Sequence, residues 1–274
     1  MILYFSKPTS NTVYMKKRML DTKKRVSEEG FRYRGLETTR LENLSDAVFG
    51  FAITLLVISS QVPKNYMELQ VSMYGFLGFI FCTMLLLGLW NNHSNYFLHY
   101  GLIDKTTKLL NALFLFVLLF YVYPLKYLFS YVGTAIYALV KRSLGDESSA
   151  FKQALQVLYE QELSFLEWQD LMIRFGLGLF FIYLIIILMH WHALRKSNEL
   201  RLDANEIYIT KTFIYQYSLL MLISILSMLV VVIFGGKAAP QSGMMYLLTP
   251  IVLPLHKRYR TRKRKRLQME VNQE

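Results

Sequence analysis

The reading of the fold turns on one stretch, Arg40-Leu41-Glu42-Asn43-Leu44-Ser45-Asp46-Ala47-Val48-Phe49-Gly50-Phe51-Ala52-Ile53-Thr54-Leu55-Leu56-Val57-Ile58. Its first turns carry charge and its remainder is nearly all apolar, the pattern of a helix that enters a bilayer from a polar end. An Asp at the end of an apolar helix is costly in lipid and marks a candidate functional position. Near a helix start Asp46 also gains from the helix dipole. The plainer alternative is that Ser45 or Asp46 caps the helix. Arg40 stands six residues before Asp46, which is not a same-face spacing, so a pair between them would need a neighbouring span or subunit.

The rest of the chain fits a membrane setting. Its 274 residues are 54% hydrophobic, 15% aromatic and 18% charged, with a mean hydropathy of +0.29. Soluble domains carry about 25% charged residues, so an ordinary cytosolic enzyme is excluded, as is disorder over most of the chain. A span needs about 20 largely apolar residues. Six segments qualify: 41–62, 69–91, 109–131, 171–191, 207–234 and a short 243–255 that holds Pro250 and Pro254. The third can run on through Val140 as one helix kinked at Pro124. The sixth reads as a tilted or broken helix, or as a segment lying against the others. The expected fold is therefore an all-α integral membrane protein with six transmembrane helices.

Lys and Arg set the orientation. With both termini in the cytosol, 24 of the 31 basic residues lie at the inner face, whereas the 19 acidic ones split 12 inside and 7 outside. The formal charge of +12 thus reads as topology. Residues 1–36 form a basic, polar, partly mobile cytosolic segment, 37–256 the membrane domain and 257–274 a basic cytosolic tail. Within the tail Lys257, Arg258, Arg260, Arg262, Lys263, Arg264, Lys265 and Arg266 follow the last span directly, the setting in which basic runs hold anionic lipid headgroups. Nucleic acid is not the expected partner, since Tyr259 alone interleaves the charges. Residues 1–5 are a short apolar patch before basic sequence, so no cleavable signal peptide is expected. In the outer loop, about 141–170, residues 149–158 are apolar at helical spacing after Asp146-Glu147-Ser148-Ser149. They read as a short amphipathic helix lying on the outer membrane face or capping an oligomer, or equally one packed on its own neighbours. Arg174, near the start of the fourth span, is expected to reach for the interface.

No chemistry-bearing motif is visible: no phosphate-cradling Gly loop, HExxH, CxxC or GxSxG. The single Cys82 excludes an intrachain disulfide. His190 and His192 point to different sides of a helix and cannot share a metal; with Trp191 they suit an interfacial belt. Neither enzyme activity, nor a cofactor, nor a bound metal is expected. The chain also lacks a TVGYG-type carbonyl filter. A solute transporter would want paired intramembrane charges and internal repeats, and neither is present.

The first span resembles the transmembrane protein 175 potassium-channel family, whose signature is Arg, three residues, then Phe-Ser-Asp ahead of an apolar helix with a Thr. Arg40, Ser45 and Asp46 match, with Leu44 in the Phe position. Trp90-Asn91-Asn92-His93 is similar to the family's Trp and His at the end of span two, and Asn111 and Pro124 agree more loosely in span three. The resemblance covers about residues 40–124. It implies a six-span subunit with cytosolic termini, single-repeat members that are mainly prokaryotic, hence a plasma or inner membrane, and a homotetramer with a pore lined by the first helix. It places the constriction at Phe51, a Thr layer at Thr54, and further apolar positions at Leu55 and Ile58; 51, 54 or 55, and 58 share a helical face. The departure is Phe51, where the family has Ile or Leu. Four rings could close a pore, or swing aside and present π faces to a cation; alternatively Phe51 turns into the bundle and Gly50 or Thr54 faces the axis. Arg40, Ser45, Asp46, Trp90, Asn91 and His93 are expected to converge as a polar network that locks two helices together rather than binding the ion. The expected function is an oligomeric, potassium-conducting channel with a hydrophobic constriction. The rival is a non-conducting scaffold of the same fold that recruits a partner protein or lipid through its basic ends.

Overall fold

The computed structural model describes residues 26–271 apart from 28, 59–65, 67–68, 70–72, 74–75, 146–147 and 161–162, and the backbone alone at 57, 58, 150, 160 and 265–271. Among the described residues the architecture is helical, with one isolated antiparallel bridge, Val26 to Arg32. The helices are α1 (Arg40–Ile58), α2 (Phe76–Tyr100), α3 (Lys105–Ser143), α4 (Ser149–Glu160), α5 (Phe165–Arg195), α6 (Ala204–Phe234), α7 (Ala239–Met244) and α8 (Thr249–Val271). Four of them, α2, α3, α5 and α6, are long and apolar enough to cross a membrane.

Each start has a local cause. Thr39 and Glu42 form a reciprocal cap for α1: the Thr39 N–H and hydroxyl donate to Glu42 Oε1 (3.0 and 2.8 Å), and the Glu42 N–H donates to Thr39 Oγ1 (3.3 Å). This pairing satisfies N–H groups that a helix start otherwise leaves bare. Ser45 and Asp46 therefore stand in the second turn and are not the cap, which removes the capping alternative for both. Asp104 caps α3, Ser164 with Glu167 caps α5, and Asp203 with Glu206 caps α6.

Two helices outrun their expected spans. α3 continues through Pro124 to Ser143, in line with the single long helix. α2 continues nine residues past Asn91, so Trp90 and His93 lie inside it and not at its end. Segment 243–255 is broken, not continuous. After Gly235, whose φ of 72° suits glycine, come a 3₁₀ turn (Gly236–Ala238), α7, a second 3₁₀ turn (Met245–Leu248) and α8. A Cβ on Gly236 would collide with the Phe165 carbonyl, so this re-entrant piece sits tight against the start of α5. Pro250 falls in the first turn of α8, where its missing N–H costs nothing, and α8 then carries the basic tail as helix. In the loop between α3 and α5 a short helix, α4, forms as expected, with the Phe151 N–H donating to Ser148 Oγ at 3.3 Å, and it packs on α3.

α5 and α6 make the most extensive helix pair, α3 packs on α5 and α2, and α1 packs on α2 and α3. The core between them is aromatic and aliphatic: Phe114, Leu118, Leu125, Ile182 and Phe97 are all fully buried. His190 belongs to this core. It is buried, its Nδ1 meets the Ile186 carbonyl at 2.9 Å, and Tyr96, Tyr100, Phe213 and Tyr217 surround its ring. His192 points elsewhere, to Asp104 at 2.7 Å. The expected belt thus dissolves into one core residue and one cross-helix partner, because 100° per residue sends the two rings to different neighbours.

A candidate pore helix and the polar groups that hold it

α1 has two unlike faces. Ser45, Phe49, Ala52 and Leu56 are buried against α2 and α3. Leu44 and Phe51 are 56% and 59% exposed, and Asn43, Ala47, Gly50 and Thr54 are exposed beside them. Of the positions expected at the constriction, Phe51 and Thr54 thus share the open face. Leu55 leans toward the core, and the Ile58 side chain lies outside the described residues. The Phe51 ring is not turned into the bundle. The Thr54 hydroxyl donates to the Phe51 carbonyl at 2.7 Å, which leaves its oxygen lone pairs free to face outward as acceptors.

The buried face carries a short polar chain across three helices. Asn111 on α3 donates from Nδ2 to Ser45 Oγ (3.0 Å), and the Ser45 hydroxyl donates to the Leu41 carbonyl (2.9 Å). His93 Nε2 lies 2.6 Å from Asn111 Oδ1, so a proton on Nε2 makes the chain run one way, from ring to amide to hydroxyl to carbonyl. The His93 ring also stacks on Phe114, with centroids 5.1 Å apart. All three polar residues are buried. In lipid such groups must be satisfied internally, so the chain fixes α1 against α2 and α3. Asn111 is its hub, although the sequence drew attention chiefly to the residues around it. A separate exposed bond joins α1 to α2, from Trp90 Nε1 to Asp46 Oδ1 at 2.8 Å. Arg40 and Asn91 are exposed and join neither group among the described residues. The expected network of six is therefore two smaller ones, Ser45–Asn111–His93 and Asp46–Trp90.

The segment before α1 holds what the sequence did not show. Phe31 is fully buried, edge-on to His99 and Tyr100. The N–H groups of Arg34 and Gly35 both donate to the Leu98 carbonyl at 3.1 Å. Glu206, in the first turn of α6 and wholly buried, accepts from Arg32 Nε (3.0 Å) and Nη2 (2.8 Å) and from Arg34 Nη2 (2.7 Å). Glu29 pairs with Lys257 at 3.0 Å, and its carbonyl accepts from Arg264 at 3.1 Å. Residues 29–36 are thus a strap bound to α2, α6 and α8, not a loose basic arm. The one available signal was Asp203-x-x-Glu206 ahead of an apolar run, a capping-box spacing that says where α6 starts but not what else Glu206 holds.

The tail divides by face. Lys257 pairs with Glu29. Arg260 Nε donates to Thr212 Oγ1 (3.0 Å) and its guanidinium lies 4.2 Å from the Tyr208 ring centroid, while Arg264 meets the Glu29 carbonyl. Arg258, Arg262 and Lys263 are exposed, and the side chains of Lys265 and Arg266 lie outside the described residues. At the same end of the bundle Asp104 meets His192 and, at 3.5 Å, Lys196. Burial works against the Asp104 charge, yet hydrogen bonding to Thr107 and His192 outweighs it and holds this carboxyl below the usual carboxylate range. Arg174 pairs with Asp170 on the exposed first turns of α5.

The sequence model of the endosomal/lysosomal potassium channel TMEM175 family matches residues 40–121, which span α1, α2 and the first half of α3. A potassium channel of Marivirga tractuosa is 37% identical over 243 residues, covering 86% of this chain and 93% of the relative. A second potassium channel, from Streptomyces collinus, is 29% identical over 118 residues, 38% of this chain and 57% of that one. Among solved structures, the potassium channel MtTMEM175, crystallised as a single-site variant with a nanobody–MBP fusion, superposes with a TM-score of 0.71 at 34% identity. That match covers 86% of this chain and 99% of the other. The family is one of ion channels and not of enzymes. By its extended identity to a channel of matching length and by its fold, this chain is a multi-pass membrane protein that belongs to the TMEM175 potassium-channel family.

Proposed function

We propose that the chain is one subunit of a homotetrameric, potassium-conducting channel, with α1 lining the pore and both termini in the cytosol. The observation that carries this reading is the division of α1. One face is packed on α2 and α3 and fixed by Ser45, Asn111 and His93, while Phe51 stands 59% exposed on the other. A helix held on one side and open on the other is what an axial position asks for. Six passages per subunit would comprise α1, α2, α3, α5 and α6 together with the broken segment from Gly235 into α8. The basic excess beside the strap and α8 supports a cytosolic placement of that end, since positive residues stay inside. Asp46, Trp90, His93 and Ser45 act in packing and gating support rather than as ion ligands.

Four Phe51 rings would form a narrow apolar collar. Water leaves such a collar, and an ion cannot pass without it, so the closed state needs no moving plug. Rotation of α1 that carries Phe51 off the axis would wet the pore and bring the Thr54 oxygens toward the passing ion. Leu55, packed partly on the core, would back this lining rather than face the axis.

Thiol accessibility tests this directly, because Cys82 is the chain's single cysteine and it is buried. Phe51→Cys and Thr54→Cys channels in liposomes are expected to lose potassium flux when a bulky cationic thiol reagent is added, whereas Phe49→Cys is expected to be unaffected. Modification of Phe51→Cys and Thr54→Cys with no change in flux would remove α1 from the pore.

A further inference from the structure

At the end of the bundle opposite the strap, a cavity of about 800 Å³ opens between the second half of α3, the start of α5 and the re-entrant α7. Ligand sites run to about 300–1,000 Å³, so this one is large enough for chain-like molecules. Its floor is apolar, with Phe129, Met172 and Phe175. Its lining also holds Tyr131 and Trp168, edge-to-face with centroids 4.9 Å apart, the residue types that favour the headgroup level of a membrane. Lys237 is the one charged side chain among the described lining residues. Its Nζ lies 5.3 Å from the Phe165 ring centroid, and among the described residues it makes no ion pair.

We propose that this cavity binds a phospholipid with an anionic headgroup. Its acyl chains would lie on Phe129, Met172 and Phe175, and its phosphate would meet Lys237 beside Trp168. Charge and depth decide the occupant together. An apolar cleft in a membrane takes acyl chains in any case, but a lysine in its lining, paired with no carboxylate among the described residues, selects negative charge. The site lies on the face of the membrane away from the basic tail, so it is separate from any lipid contact of α8. It does not depend on the chain conducting ions.

The experiment uses the purified full chain in vesicles of phosphatidylglycerol or phosphatidylcholine whose acyl chains carry bromine, a short-range quencher of tryptophan. Trp168 is the reporter, and Trp168→Phe identifies its share of the emission among the three tryptophans. The expected result is that mixed vesicles show about a fivefold preference for the brominated anionic lipid at Trp168, the factor one basic residue near an anionic headgroup supplies. Lys237→Gln is expected to abolish that preference while leaving quenching by either lipid. Gly243→Phe should remove both, because a Cβ at Gly243 meets only Met172 Cε, at 3.8 Å, and a larger side chain there has the cavity to fill. Equal quenching by the two lipids would show ordinary surrounding lipid and overturn the proposal. So would a preference that survives Lys237→Gln. Absence of any Trp168 quenching would also overturn it. Lys237 is exposed, so Lys237→Gln decides the matter even if Gly243→Phe fails to fold.

Discussion

Replacing Glu206 by Gln is the perturbation that the strap makes most telling. The Glu206 carboxylate is wholly buried and accepts six hydrogen bonds: from the Arg32 N–H, Nε and Nη2, from Arg34 Nη1 and Nη2, and from the Asp203 N–H. Removing one partner of a buried ion pair costs about 3–5 kcal/mol, because the other charge stays behind unpaired. Two features of the site push the figure to the low end. The Arg32 side chain is 46% exposed and can turn to water. The Arg34 side chain, only 18% exposed, keeps the carbonyls of Leu200 (2.9 Å) and Arg32 (2.8 Å) as acceptors. About 3 kcal/mol remains, which for a chain of this size corresponds to a melting temperature lower by roughly 6–12 °C. The assay is thermal loss of the monodisperse protein in detergent, with trypsin cleavage within residues 29–36 as a local readout. Arg32→Ala is expected to cost about 1 kcal/mol, as half-exposed pairs do. A Glu206→Gln melting point within about 2 °C of wild type would refute the reasoning. Equal losses from Glu206→Gln and Arg32→Ala would refute its apportionment between the two arginines.

Three further outcomes follow from the same contacts. Asn111→Leu strands Ser45 and the His93 ring, so it is expected to lower stability by about 1–3 kcal/mol, and adding Ser45→Ala should cost less than the sum of the two; strict additivity in thermal melts would mean that the residues do not act as a chain. For Asp104, whose carboxyl is held below the usual range, the stabilising form is the charged one. Its contribution is full above about pH 4 and is lost as pH falls further, so the melting-point gap between wild type and Asp104→Asn should hold from pH 7 to about 4 and then narrow, and a gap that widens on acidification would contradict this. In the tail, Arg258, Arg262 and Lys263 changed together to Gln should weaken binding to anionic liposomes in a salt-sensitive way at little cost in stability, at about 1 kcal/mol per residue; Arg260→Ala should do the reverse, and similar effects from the two variants would erase the division of α8 into two faces.

Much of the site was legible because it is local. Apolar runs of about 20 residues, long enough for a span, gave α1, α3, α5 and α6, and the amphipathic run after Ser148 gave α4. The Arg40, Ser45 and Asp46 pattern lies on α1, within the stretch that the TMEM175 family model matches. What escaped was tertiary. Nothing in the order of residues says that Arg32 and Arg34 reach Glu206, some 170 positions away, or that Lys257, Arg260 and Arg264 find partners on neighbouring elements while Arg258, Arg262 and Lys263 stand exposed. The helical period was available for the tail, but a run of eight basic residues looks the same on every face until a neighbour is placed beside it. A cap at Ser45 or Asp46 was one of two readings of the start of α1, and the cap that forms, Thr39-x-x-Glu42, lies at the edge of the apolar run. The sixth segment was short enough to suggest a break, yet the close approach of Gly236 to the Phe165 carbonyl involves a residue some 70 positions earlier. His190 and His192 were correctly assigned to different sides, but burial of His190 among four aromatic rings depends on α2 and α6.

The measurement closest to the central claim is potassium against sodium flux through the purified chain in liposomes, compared with Phe51→Ala. Passage of potassium ahead of sodium, with Phe51→Ala raising total flux and lowering the preference, is the result the account predicts. It follows from removing about 150–250 Å² of aromatic surface per subunit from the collar and letting water in. Absence of flux for either ion across voltage and pH would contradict conduction and return weight to a scaffold of the same fold. Flux identical in wild type and Phe51→Ala would contradict the constriction.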